Sequence, residues 1–166
     1  LGNGHRYGVN IAYSVEPQTG LETGGGVLNA LPLLGDKPFL LTNADVFCDY
    51  PYRYLAENNL VGQQSGLLHL VLVPNPDFKE KGDFSITDNR LQQGTDYTFS
   101  GISIISPQLF NDCQAGFFPI APLFHQAIAD GQATAEVFNG QWHDVGTPKR
   151  LLYVGTKLLD HYTLNK

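Results

Sequence analysis

The chain has 166 residues, 42% of them hydrophobic and 16% charged, and ten Lys and Arg stand against sixteen Asp and Glu for a formal charge of −6. That balance excludes a disordered chain and argues against nucleic acid as a partner, because non-specific binding needs clustered cations. It leaves anionic small ligands open, since a bound divalent cation can reverse the local field.

The segment Asn10–Val15, "NIAYSV", alternates Ile11, Tyr13 and Val15 on one side and reads as a short strand. Turn chemistry fills "EPQTGLETGGG". A helix follows from Thr23 to about Leu34, with Thr23 as N-cap and Val27, Leu28, Leu31 and Leu34 as its apolar stripe. Pro32 and Gly35 end it. Phe39–Leu41 reads as a strand buried on both faces that opens at its C-terminal end into Asn43-Ala44-Asp45. "YPYRYLAENNL" is a second helix candidate and Gly66–Val73 a buried strand.

Asp88-Asn89 lies between short alternating runs, a hairpin signal. "YTFSGISIIS" is a strand with a glycine inside it, where a backbone or ligand can approach closely. Helical "PIAPLFHQAIADG", one strand over "AEVFNGQWHDV" and a last helix complete the chain. Thr147 caps that helix, Pro148 takes its first position, and Leu151, Val154, Leu158, Leu159 and Tyr162 run along one side. Strands alternating with helices imply a layered α/β domain, and the central hairpin implies a mixed sheet.

No apolar run approaches the length of a membrane span, so no membrane partner is expected. Cys48 and Cys113 form neither a C-x-x-C pair nor a disulfide framework, as a reducing cytoplasm would have them. The sequence contains no methionine, from which a fragment of a longer reading frame is expected.

Three places carry chemistry. Gly24, Gly25 and Gly26 lie where a helix begins, so free backbone N–H groups and the absence of Cβ atoms would let a ring or phosphate lie against the main chain. Taken alone the run is more simply a tight turn, and it spells neither G-x-G-x-x-G nor a P-loop. Asp45, at a strand end, faces the crevice where open α/β sheets bind ligands, and its hard oxygens suit Mg²⁺; a loop cap is the alternative. Asp144, in "WHDVGTP", follows a strand and precedes a capped helix, and it also reads as a turn aspartate. The five histidines show no metal-like spacing.

Taken together, E-T-G-G-G into a helix, strand-N-A-D and W-H-D-V-G-T-P resemble the sugar-1-phosphate nucleotidyltransferases, with "KGDF", "FSGI" and "PIAPLF" in the family's order. In type the chain is most similar to small single-domain members acting on UTP and N-acetylmuramate 1-phosphate, or on GTP and mannose 1-phosphate. The resemblance implies a Rossmann-like, GT-A-like mixed central sheet flanked by helices, truncated at the N-terminus, with residues 1–166 as a single domain. It implies a nucleobase pocket of Glu22, Thr23, Gly24 and Gly25, with Asn43 also on the nucleotide. Asp45 and Asp144 would be the catalytic Mg²⁺ ligands, and Gly82, Asp83, Ser100 and Gly101 would border the sugar phosphate.

The partners implied are a nucleoside triphosphate and a sugar 1-phosphate; the setting is cytoplasmic NDP-sugar synthesis, in the muramate case peptidoglycan recycling. The family's G-x-G-T-R loop and its P-K pair, which grip the triphosphate, do not occur here, and Ala44 replaces the usual glycine of N-G-D. Weak or no turnover by the 166 residues alone is therefore expected, as is self-association through an unpaired sheet edge. Two other readings stay open: a metal-dependent glycosyltransferase, which usually carries D-x-D at the strand end, and a non-catalytic sugar-nucleotide-binding domain.

Overall fold

A computed structural model describes residues 1–58, 60–62 and 66–164, without the side chains of residues 56 and 158–164. The predicted contributions of Leu158, Leu159 and Tyr162 to the last helix's apolar side, and Asn59 of the second helix candidate, lie outside what is described. Among the described residues four α-helices, α1 (Glu22–Leu34), α2 (Tyr52–Glu57), α3 (Ala121–Ala129) and α4 (Pro148–Leu164), accompany eight strands. The strands are β1 (Phe39–Thr42), β2 (Val46–Cys48), β3 (Leu68–Pro74), β4 (Phe84–Thr87), β5 (Arg90–Gln93), β6 (Tyr97–Ile105), β7 (Ala133–Val137) and β8 (Trp142–Asp144).

Six strands form one mixed sheet in the order β1-β6-β3-β7-β5-β4, and β2 pairs with β8 in a separate two-stranded ribbon. Only β3 and β7 run parallel; the other neighbours are antiparallel. The continuous apolar run of β3 places it at the centre, with Leu68, Leu70, Val71 and Leu72 fully buried. Even-numbered β3 residues pack with Val27 of α1 and Phe124 and Ala127 of α3 on one face. Val71 packs on the other face with Leu55 of α2, Tyr50, Val61 and Ile102. The sheet is thus the middle layer, and each fully buried leucine contributes about 1.5–3 kcal/mol.

Several local signals match the fold. Asp88 and Asn89 both take positive φ (50° and 60°) between β4 and β5, the backbone a two-residue hairpin needs. The Thr147 hydroxyl accepts from Arg150 N at 3.3 Å and caps α4. Gly35 closes α1 by donating its N–H to Leu31 O.

Five expectations are corrected. Residues 10–15 form no strand: among the described residues none pairs with them, and Tyr13 and Val15 stay exposed. Helix α1 starts at Glu22, one residue early, with Leu21 at the cap position and no side-chain cap, so Thr23 lies inside it. Leu34, on the predicted stripe, is exposed. Strand β1 shows alternating burial, not burial on both faces, because the face of Leu40 and Thr42 is left uncovered; among the described residues β6 is its one partner. The single strand over residues 135–145 is two strands in two sheets, broken at Phe138–Gln141, where Gln141 N donates to the Asp49 carboxylate.

Candidate active site

Strand β1 leads into Asn43-Ala44-Asp45, and the chain then enters β2, which pairs antiparallel with β8 so that Val46 faces Asp144. Asp45 O accepts from Val145 N at 2.8 Å. This ribbon is what carries the second aspartate back to the first. Gly146 lies between them: a Cβ on it would stand 2.7 Å from Asp45 Oδ2 and 3.1 Å from Asp144 Oδ1. The two carboxylates therefore flank one point, although Asp45 lies in the turn before β2 and Asp144 at the end of β8.

A bulge in β6 forms the floor. Val71 faces Ile102 and Leu72 faces Phe99, which leaves Ser100 and Gly101 without partners on β3. The Ser100 hydroxyl replaces the missing ladder, donating to Val71 O at 2.7 Å and accepting from Ile102 N at 3.1 Å. Gly101 takes φ +82°, which favours glycine, and its carbonyl accepts from Asn43 N at 2.9 Å. The close approach predicted for this glycine is thus that of Asn43. Trp142 Nε1 donates to Ser100 O at 2.8 Å and binds the ribbon to the bulge.

Asn43, Asp45, Ser100, Gly101, Trp142 and Asp144 line one cleft of 160 Å³. Ser100 is fully buried, so it borders the cleft as backbone, not through a free hydroxyl. Asp83 stands beside this group: its Oδ2 accepts from Lys79 Nζ at 2.6 Å and from Phe99 N at 2.9 Å. Gly82 N donates to Thr95 O at 2.9 Å, and a side chain there would collide with the Tyr97 carbonyl.

The nucleobase candidates lie apart from the carboxylates. Glu22 and Thr23 line a separate, mostly apolar groove of 620 Å³ along α1 and β1. Gly24 and Gly25 are buried against residues 116–118: a Cβ on Gly24 would stand 2.5 Å from the Phe118 ring, and one on Gly25 would overlap the Gly116 carbonyl. Gly25 N donates to Phe118 O at 3.1 Å, so that N–H is not free for a ligand. Glu22 has φ 61°, an outlier for a side chain of this size, and such strain costs about 1–3 kcal/mol.

Arg150, in the first turn of α4, reaches the carboxylate of Asp144. Its Nη1 donates to Asp144 Oδ2 at 2.8 Å, its Nε to Thr147 Oγ1 at 3.2 Å, and its guanidinium lies 5.1 Å over the Phe78 ring. The helix cap explains it, since three residues after Thr147 the side chain turns back toward the ribbon. That signal was present in W-H-D-V-G-T-P-K-R; nothing in the sequence pointed to Phe78.

Among the described residues no group of three or more His, Cys, Asp and Glu is placed to hold a metal ion. The donor set still fits Mg²⁺, which takes one or two carboxylates and completes its shell with phosphate and water. Asp144 Oδ1 already accepts from Gly146 N at 2.9 Å, which orients the carboxylate, and no hydrogen bond among the described residues engages the Asp45 carboxylate. No helix among the described residues is long and apolar enough to cross a membrane.

No protein-family model matches the chain. The chain is 40% identical over 157 residues to the N-acetylmuramate alpha-1-phosphate uridylyltransferase of Neisseria meningitidis serogroup B, covering 91% of this chain and 68% of that protein. It is 31% identical over 159 residues to the mannose-1-phosphate guanyltransferase of Aspergillus oryzae, covering 89% of this chain and 43% of that protein. A Bacillus anthracis protein assigned as a glucose-1-phosphate thymidylyltransferase and solved with a sucrose superposes with a TM-score of 0.77 at 18% identity, over 92% of this chain and 67% of that one. HddC from Yersinia pseudotuberculosis complexed with GMP-PN gives 0.65 at 23% identity, over 90% and 67%. These two structures share the fold.

Proposed function

The chain belongs to the sugar-1-phosphate nucleotidyltransferases, and from that premise we propose that its protein transfers a uridylyl group from UTP to N-acetylmuramate 1-phosphate with Mg²⁺. The observation that carries this reading is the convergence of Asp45 and Asp144 on the single point beside Gly146. The substrate pair rests on the 40% identity to the meningococcal uridylyltransferase. In this reading residues 1–166 belong to one nucleotidyltransferase domain acting in the cytoplasm, where both substrates would be found.

A phosphate oxygen of the sugar 1-phosphate attacks the α-phosphorus in line. The new P–O bond forms as the α–β phosphoanhydride bond breaks, and pyrophosphate leaves with the electron pair. Two anions must meet, so the protein's work is positioning and charge neutralisation, without a side-chain nucleophile. Asp45 and Asp144 would hold Mg²⁺, which supplies charge neutralisation at the reacting phosphates. The Gly146 N–H and the Arg150 guanidinium orient the Asp144 carboxylate. The Ser100–Gly101 bulge would present backbone to the sugar phosphate, with Gly82 and Asp83 bordering it. Glu22, Thr23 and Asn43 are proposed for the nucleotide, supported for Glu22 by its strained backbone, while Gly24 and Gly25, packed against residues 116–118, would serve it only by positioning the start of α1.

Pyrophosphate release by the full-length protein, supplied with Mg²⁺, one of UTP, GTP or dTTP and a panel of sugar 1-phosphates, tests the proposal. Turnover strongest with UTP and N-acetylmuramate 1-phosphate, and lost in Asp45→Ala and Asp144→Ala, is the expected result. Tight binding of a nucleotide sugar without any turnover would overturn it.

A further inference from the structure

The carboxylate cleft shares a wall with a second cleft. Pro76, Phe78, Trp142 and Asp144 line both, and the second, also of 160 Å³, takes in Tyr153 and Arg150. Its walls are largely aromatic, with few polar groups, the composition of a pocket that recognises a small molecule's flat face and fixes it with a few polar contacts. Arg150 is the one Lys or Arg among its lining residues.

An arginine fork carries five N–H donors. Here Nη1 serves Asp144 and Nε serves Thr147, while Nη2 has no partner among the described residues. The Phe78 ring beneath the guanidinium holds its plane. A lysine would suffice to pair with Asp144, so the free edge of a planar fork is the part of this side chain that the ion pair leaves unexplained.

Resting on the nucleotidyltransferase reading, we propose that Arg150 is the specificity-determining residue for an acidic acceptor sugar. Its free Nη2 edge takes a carboxylate carried by the sugar in the aromatic cleft, while the sugar's phosphate sits beside Asp45 and Asp144. A carboxylate on an arginine makes a charge-assisted contact that a hydroxyl cannot match, so the residue discriminates acid from neutral sugars that share the same phosphate.

Calorimetric binding by the full-length protein in Mg²⁺ tests this with N-acetylmuramate 1-phosphate and N-acetylglucosamine 1-phosphate, which differ by the acidic ether substituent. The native protein is expected to prefer the acid by about ten- to a hundred-fold, the range of a hydrogen bond to a charged group. Arg150→Met is expected to erase most of that preference, weakening the acid sugar far more than the neutral one. Arg150→Lys, which keeps the charge beside Asp144, is expected to recover only part of it. Equal weakening of both sugars in Arg150→Met would show that the residue acts only through Asp144 and would overturn the proposal, as would a native protein that binds both sugars alike. If the native protein turns over only neutral sugar phosphates, the transferase reading stands and this inference falls. If it binds no sugar phosphate, both fall.

Discussion

Replacing Gly146 with alanine tests the geometry of the site most directly. The new methyl would stand 2.7 Å from Asp45 Oδ2 and 3.1 Å from Asp144 Oδ1, whereas ordinary contact begins at 3.4 Å. Both carboxylates must then retreat by several tenths of an ångström, and the methyl occupies the point they flank. Gly146 does not have positive φ, so alanine is compatible with its backbone and should change stability by about +0.4 to +1 kcal/mol. The amide that donates to Asp144 Oδ1 is retained. Cation binding should weaken by about ten- to a hundred-fold, the range seen when the groups that orient metal ligands are lost. The assay is Mn²⁺ titration followed by the electron paramagnetic resonance of the free ion, with thermal denaturation alongside and Asp45→Asn as the reference for loss. If Gly146→Ala binds Mn²⁺ as the native protein does while Asp45→Asn does not, the carboxylates do not converge on a shared cation, and the argument from Gly146 is refuted.

Gly25→Ala should be destabilising, because its Cβ overlaps the Gly116 carbonyl and overpacking costs about 1–3 kcal/mol against a helix-propensity gain of about 1 kcal/mol. Gly26→Ala meets only the movable Glu16 carboxylate, at 2.5 Å, and should lose less. At about 2–4 °C per kcal/mol for a chain of this size, melting temperatures separate the two, and equal stability would contradict a packing role for Gly25. His69, in β3, is buried beside Thr134 with its Nδ1 2.8 Å from the hydroxyl, and burial pushes its pKa down from 6.5 to about 4. The unfolded chain therefore binds the extra proton first, so this group's contribution is complete above pH 6.5 and is lost as pH falls toward 4, by about 3 kcal/mol. Urea titrations across that range should show the native protein losing more stability than His69→Gln, and parallel curves would count against it.

The sequence by itself determined what depends on neighbours in the chain. The Asp88-Asn89 turn, the Thr147 cap before Pro148 and the apolar run of β3 are legible because each follows from backbone preference or from the hydrophobicity of a contiguous stretch. The two aspartates stand out as site candidates for the same reason, since each lies where a short apolar or aromatic run gives way to turn residues. What joins them does not. The break at residues 138–141, which puts β7 and β8 in different sheets, is held by Asp49, just after β2. Residues 10–15 have a strand's alternation, yet a strand exists only where a neighbouring strand supplies a ladder; here Ile11 N donates to Asn3 O and Asn29 reaches Val15 O, and no ladder forms among the described residues. The glycines of α1 read as an open ligand face until Phe118 and Gly116 fill the space beside them. Arg150 is an ordinary first-turn residue in sequence, and the turn of α4 sets it on Asp144 and Phe78. In each case the deciding contact lies between segments remote in sequence, and close approach of that kind leaves no periodic trace in either segment alone.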